Sequence, residues 1–280
     1  LTNNHVVEGA NRISVTDVGN GKVYNATVVG YDRTQDVAVL QLSGATGLTT
    51  CPVGNSTSVS AGLGVVAVGN ANGSGGTPSY AAGTVTATNQ TITASDEVDG
   101  SSEQLSGLLE TNANIVAGDS GGPLVDASGR IIGMDTAASA GFQFENSSTQ
   151  GYAIPINQAT NIAKQIESGT SSSTVHVGPT AFLGVGVRDA TNGGSPFGGG
   201  SSSGQGAKIV QIVSGGPADQ AGLVVGDVIT AVNGQRVGSA EALTEAMTTQ
   251  KPGNSVNVTY QDSSGQQHTV AVVLGSGPSQ

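Results

Sequence analysis

Gly118-Asp119-Ser120-Gly121-Gly122-Pro123 is the stretch on which the reading of this chain turns. A serine hydroxyl is a weak nucleophile, so it needs a base to take its proton and backbone N–H groups to hold the oxyanion that forms. Glycines on both sides let the backbone curl until N–H groups point inward beside Ser120. The same six residues also read as a Gly/Ser turn between strands, so the serine acquires a chemical role only if partners exist elsewhere.

Three histidines could serve as the base: His5, His176 and His268. His176 stands in Thr-Val-His-Val-Gly and His268 in Gly-Gln-Gln-His-Thr-Val, a linker and an exposed hairpin on this reading, so both are expected to be solvated. His5, in Leu1-Thr-Asn-Asn-His-Val-Val7, ends an apparent strand that enters a short helix or turn. The third partner must orient the imidazole and stabilise its cation, which requires a carboxylate fixed by ordered structure. Tyr31-Asp-Arg-Thr-Gln-Asp-Val-Ala-Val-Leu40 offers Asp32 and Asp36. Asp36 abuts the apolar run Val37–Leu40, whereas Asp32 lies among polar turn residues beside Arg33, so Asp36 is the choice.

The rest of the chain supplies the frame. Its 280 residues suggest about two domains. Nine basic against 20 acidic residues give a formal charge of −11, which argues against nucleic acid or an anionic membrane face as partner. No apolar run approaches the ~18 residues of a membrane span. The single Cys51 excludes an intrachain disulfide and a Cys-based zinc site, and it reads as a small buried filler. Forty-four glycines, set among Ser, Thr, Asn and Val, indicate turns joining strands. Short β-branched runs recur at Lys22–Val29, Val37–Leu42, Gly64–Val68, Gly83–Thr88 and Arg130–Met134, the spacing of an all-β barrel or sandwich. Pro155–Ser168 then switches to helical spacing, with Asn157 as N-cap and Gly169 as stop. Residues 169–180 read as a linker and Asn192–Gly206 as a low-complexity loop. Asp96, Glu97, Asp99 and Glu103 form an acidic run, read as a solvated loop.

His5 in TNNHVV, Asp36 in DRTQDVAVL and Ser120 in GDSGGPL, in that order, resemble the chymotrypsin-fold serine proteases. The flanking Thr2-Asn-Asn-His-Val-Val7, Asp36-Val-Ala-Val-Leu40 and Gly151-Tyr-Ala-Ile-Pro155 resemble the HtrA/Deg branch more closely, and among these the secreted PepA-type proteases of actinobacteria. The resemblance implies a mainly β chain with a trypsin-like double β-barrel over residues 1–168. It implies His5 as general base, Asp36 as its orienting partner, Ser120 as nucleophile, and an oxyanion hole from the backbone N–H groups of Gly118 and Ser120 with that of Asp119 between them. No cofactor or metal is implied. It also implies strands ahead of His5, and a chain beginning at Leu1 reads as one whose start, with any secretion signal, has been cut away. The trimer of that branch is the expected homo-oligomer, through contacts that lie largely upstream of Leu1.

Two departures carry information. Asn114 stands where trypsin-like specificity needs an acid, so basic residues at the cleavage site are disfavoured, and Ile115 is expected to narrow and grease the pocket for small aliphatics. Asp119 stands where the HtrA branch commonly has Asn. Backbone donors or a neighbouring cation are expected to stabilise it.

Beyond the linker, GGPADQAGLVVGDVITAVNGQRV strongly resembles PDZ domains, which places a small α+β domain over residues 181–275. Pro217 opens a short helix, Asn233-Gly234 turns a hairpin and Ser239 caps a helix through Thr248. Phe182-Leu183-Gly184-Val185 matches the loop that receives a peptide's C-terminal carboxylate, with Leu183, Val185 and Leu243 lining the side-chain pocket. The expected partners are polypeptide substrates and peptide C-termini, outside the cytoplasm of a bacterium. A catalytically idle peptide-binding or chaperone-like module is the alternative, and an ester hydrolase a third reading.

Overall fold

The computed structural model describes residues 1–96, 102–136, 142–144, 150–190 and 206–278. The acidic run and the loop expected at 192–206 fall outside that description, wholly or in their side chains, apart from Gly206. The chain divides into two compact units, Leu1–Gly178 and Pro179–Gln280.

In the first unit the strands are β1 (Ile13–Asp17), β2 (Lys22–Asp32), β3 (Val37–Leu42), β4 (Gly64–Gly69), β5 (Ser79–Asp96), β6 (Ser102–Thr111), β7 (Pro123–Asp126), β8 (Ile131–Thr136), β9 (Phe142–Phe144), β10 (Gly151–Pro155) and β11 (Val175–Val177). The helix α1 (Ile156–Glu167) follows β10. β4, β7, β8, β10, β6 and β5 pair in that order, and β4 pairs back with β5, so six strands close into a barrel. Closure removes the sheet edges. Val65, Val85, Leu109, Leu124 and Ile132 fill it and are all under 5 % exposed. β1, β3 and β11 all pair with β2 to form a second sheet.

The helix forms where its period predicts it, with Ile156, Ala159, Ile162 and Ile166 buried and Gly169 past its end at φ +74°. Asn157 is not its N-cap. Pro155 holds that place, and Asn157 sits one residue inside the first turn, where its amide side chain donates to Asn55 Oδ1 at 2.7 Å and accepts from the Ser56 amide at 3.2 Å. The expected linker is also partly structured. Val175–Val177 is antiparallel to Gly30–Asp32, so His176 is buried at 6 % exposure, its ring 5.1 Å from that of Tyr31, rather than solvated. Gly30 has no Cβ to obstruct this, since one there would lie 2.7 Å from Ile166 Cγ2. Cys51 is exposed rather than buried, its thiol 3.4 Å from the Gly129 carbonyl on an open loop.

The second unit holds β12 (Thr180–Phe182), β13 (Val185–Asp189), β14 (Ala207–Ile212), α2 (Pro217–Gln220), β15 (Val228–Val232), β16 (Gln235–Arg236), α3 (Ala240–Thr248), β17 (Ser255–Gln261), β18 (Gln267–Val273) and β19 (Gly275–Gly277). One sheet runs β13-β14-β15-β17-β18, with β13 at its edge and β16 on β15, while β12 pairs with β19. Asn233 and Gly234 both take positive φ, 50° and 80°, as the two-residue hairpin requires. Ser239 Oγ caps α3 by accepting from the Ala242 amide at 3.0 Å. Ile209, Ile229, Val256 and Val258, each 0 % exposed, form the centre of its core with Leu243 and Met247.

Candidate active site

The segment ahead of β1 curls into a turn, with the Val7 and Glu8 amides both donating to the Asn4 carbonyl at 2.9 Å. It is fastened to β3 by a pair of backbone bonds between Thr2 and Ala38, at 3.0 and 2.8 Å. Asp36 ends the turn before β3 with φ +52°, a left-handed conformation that few residues other than glycine adopt. Strain of this kind persists where surrounding contacts over-determine the backbone. Two such contacts hold Asp36: its amide donates to the Arg33 carbonyl, and its own carbonyl accepts from Asn3 Nδ2 at 3.0 Å.

The conformation directs the Asp36 carboxylate at His5. Oδ2 meets His5 Nδ1 at 2.9 Å and Oδ1 accepts from the His5 amide at 3.0 Å, so one carboxylate grips both ring and backbone. Thr136 Oγ1, at the end of β8, approaches the same Oδ2 at 3.4 Å. Asp36 is 3 % exposed, and the His5 side chain 15 %. With Nδ1–H donating to the carboxylate, Nε2 is left as the nitrogen that can accept a proton. Asp32, the other carboxylate weighed, instead accepts from Thr34 Oγ1, the Gln35 amide and Thr174 Oγ1, which makes it a structural acceptor for the turn.

Ser120 sits half-buried between β6 and β7. Gly118 holds φ +95°, and a Cβ there would collide with the Asn70 carbonyl and lie 2.8 Å from the Gly73 amide nitrogen. Gly121 holds φ +80°, and a Cβ there would collide with Thr2 Oγ1. That close approach packs the serine loop against the residues just ahead of His5. On the other side the loop is stitched to β8: the Gly121 amide donates to the Asp135 carbonyl at 2.9 Å, and the Asp135 amide donates to the Gly122 carbonyl at 2.7 Å.

Asp119 closes the front of the loop. Its Oδ2 accepts from the Val116 amide at 3.0 Å, its own amide donates to the Val116 carbonyl at 3.0 Å, and its Oδ1 accepts from Ser79 Oγ at 3.1 Å. The backbone donor expected for Asp119 is therefore present, together with a hydroxyl. Its amide, however, is committed to Val116, so the expected place of the Asp119 N–H in the oxyanion hole does not hold in this structure. Nearby, Asn114 is exposed, and Ile115 lies over Gly151, where a Cβ would come 2.8 Å from Ile115 Cδ1.

In the second unit Gly184 takes φ +84° between β12 and β13, and the turn around it is held by the Leu183 carbonyl on the Ala218 amide and the Gly184 carbonyl on the Val213 amide, both 2.9 Å. Leu183 and Leu243 are core residues, 4 % and 3 % exposed, while Phe182 and Val185 are half-buried. His268 pairs through Nε2 with Asp262 at 2.8 Å on the hairpin expected for it. The Ser264 bonds and that pairing hold the half-buried Asp262 carboxyl well below the usual range. Asp135 was not singled out by any sequence pattern, and neither was Ser79.

A six-strand barrel with a serine loop at one end, a histidine gripped by an aspartate, and a second unit with an open sheet edge define a trypsin-like peptidase joined to a PDZ domain. Comparison with known proteins agrees: residues 1–134 match the trypsin-like peptidase domain family and residues 181–273 the PDZ domain family. The serine protease PepD of Mycobacterium tuberculosis is 34% identical over 289 residues, an overlap that takes in 98% of this chain and 58% of that protein. A probable periplasmic serine protease do/HhoA-like of Haemophilus influenzae is 32% identical over 267 residues, covering 93% of this chain and 52% of its own length. The solved structure of the HtrA-type protease AlgW with decapeptide superposes with a TM-score of 0.50 at 28% identity, over 99% of this chain and 79% of that one. The chain belongs to the HtrA-type proteases, and it spans between about half and three fifths of the length of these two curated relatives.

Proposed function

We propose that the chain is a serine endopeptidase acting through His5, Asp36 and Ser120. The observation that carries this is the double grip of Asp36 on His5, 2.9 Å to Nδ1 and 3.0 Å from the amide, in a buried turn held at positive φ. As Ser120 Oγ bonds to the scissile carbonyl carbon, its proton passes to His5 Nε2, and Asp36 stabilises the imidazolium. The oxyanion is received by the amides of Gly118 and Ser120. His5 then gives its proton to the departing amine, an acyl-enzyme on Ser120 remains, and a water activated by the same imidazole releases it.

Asn114 and Ile115 support cleavage after small aliphatic residues, since Asn114 stands where trypsin-like specificity needs an acid. Polypeptides in an unfolded or misfolded state are the substrates proposed, because an extended chain is what reaches a cleft of this kind. In the PDZ unit, β13 at the sheet edge supports capture of a peptide C-terminus as an added strand, with its carboxylate at Phe182–Val185 and its side chain toward Leu183, Val185 and Leu243. Among the described residues no helix is long and apolar enough to cross a membrane. A relative named as periplasmic supports work in the bacterial envelope or outside the cell. Fluorophosphonate labelling tests the reading: the wild type should be labelled and Ser120→Ala should not, whereas an unlabelled, folded wild type would make the protein an idle binding module.

A further inference from the structure

Asp135 lies directly behind the serine loop and takes no direct part in the chemistry above. It is 0 % exposed, and neither carboxyl oxygen makes a hydrogen bond of normal geometry, the Val68 backbone amide facing it only weakly. A buried carboxylate left without donors is costly, and such groups avoid the cost by keeping their proton. Asp119 is placed differently. It accepts from the Val116 amide and the Ser79 hydroxyl, and it borders a small cavity of about 120 Å³ lined also by Ser79, Asn114 and Val116. Two carboxyl groups in such unequal surroundings divide their roles, the one with donors holding the charge and the one without holding the proton.

Among the described residues, the neighbours of Asp135 are these. The serine loop brings the charge of Asp119, β4 brings the backbone amide of Val68, and β10 sets Ala153 opposite it in register. Asp126, the titratable residue of β7, is engaged with Arg130 at 3.3 Å. Tyr152 on β10 and Asp36 meet Thr136, one residue along β8, whose side chain faces the other side of the strand. Burial pushes the Asp135 carboxyl up to about 9, the charge of Asp119 adds to this, and the Val68 amide offsets only part.

We propose that Asp135 is carried as a neutral carboxylic acid and acts as a positioning residue. While it holds its proton, its two backbone bonds keep Gly121 and Gly122, and so Ser120, in register with β8. Its ionisation sets a second negative charge against Asp119 and disturbs that register. The positioning role rests on Ser120 being the nucleophile; the retained proton does not.

Three measurements on the full chain separate these claims. The folded pKa lies above the unfolded value near 3.9, so the native state binds one proton more between the two, and stability is lost as pH rises through that window. Denaturant unfolding of the wild type should therefore give an unfolding constant that rises with pH about tenfold more per unit than that of Asp135→Asn, up to about pH 9. Equal slopes would overturn the retained proton. Infrared spectra of wild type with isotope-labelled aspartate decide the same point even if the variant does not fold: a carboxylic acid C=O band at neutral pH supports it and its absence refutes it. For positioning, the ratio of Ser120 labelling rates above pH 9 and at neutral pH should fall in the wild type and stay flat in Asp135→Asn. A matching fall in both would end the positioning role. Absence of labelling in the folded wild type would end the nucleophile reading, and with it that role, while unfolding and infrared still decide the proton.

Discussion

The two units bury different things. Ten of the twelve buried polar or charged residues described lie in the peptidase unit, from Asn3 to His176, and only Thr180 and Asp227 lie in the PDZ unit. The PDZ core is a continuous apolar cluster, and its sheet ends at β13. The peptidase unit instead carries carboxylates, amides and hydroxyls into its interior, as the proposed chemistry needs an imidazole and a hydroxyl held at fixed places. Buried polar groups are tolerated when their bonds are made. A site that captures a strand needs an unpaired sheet edge and little interior polarity.

This contrast can be broken at its strongest point by Asp36→Asn, which keeps the shape and removes the charge. The wrong imidazole tautomer then costs about 10⁴-fold in turnover, read as the labelling rate of Ser120. Peptide binding by the PDZ unit should be unmoved, and a variant that labels at the wild-type rate would remove Asp36 from the mechanism. Next in size is Ile229→Ala, 0 % exposed at the centre of the apolar cluster. It should destabilise the PDZ unit by about 2–5 kcal/mol, seen as faster amide exchange in β15 and β17, with Ser120 labelling intact. Loss of labelling there would show that the units are energetically joined. Smallest is Ser239→Ala, which leaves the Ala242 amide of α3 uncapped and should cost about 1 kcal/mol, confined to exchange at the start of that helix.

Much of this organisation was legible in the sequence because it depends on local chemistry. β3 occupies the residues its β-branched run predicts and β4 runs one residue past its own, the Asn233-Gly234 hairpin follows from turn chemistry, and Ser239 caps its helix through its own hydroxyl. Choosing Asp36 over Asp32 rested on its neighbour being an apolar strand, and the bond to His5 agrees with that choice. What could not be read depends on residues far apart in the chain. Asn157 looked like a cap until Asn55 and Ser56 took its side chain from across the fold. His176 reads as solvated because nothing near it in sequence announces that the Tyr31 ring will pack against it. The Asp119 amide was misassigned because its bond to Val116 is a detail of loop geometry that a motif does not encode. Asp135 was passed over for the same reason: in Ile-Ile-Gly-Met-Asp-Thr it is one more strand residue, and only burial against the serine loop distinguishes it.

His5 and Asp36 meet in turns beside the sheet of β1, β2, β3 and β11, whereas Ser120 is presented by the closed barrel much further along. On the proposed mechanism, a molecule without that barrel holds an imidazole with nothing to activate. During refolding, fluorophosphonate uptake should trail barrel closure and never precede it. On the proposed mechanism, a copy still open enough to be cut is not yet equipped to cut.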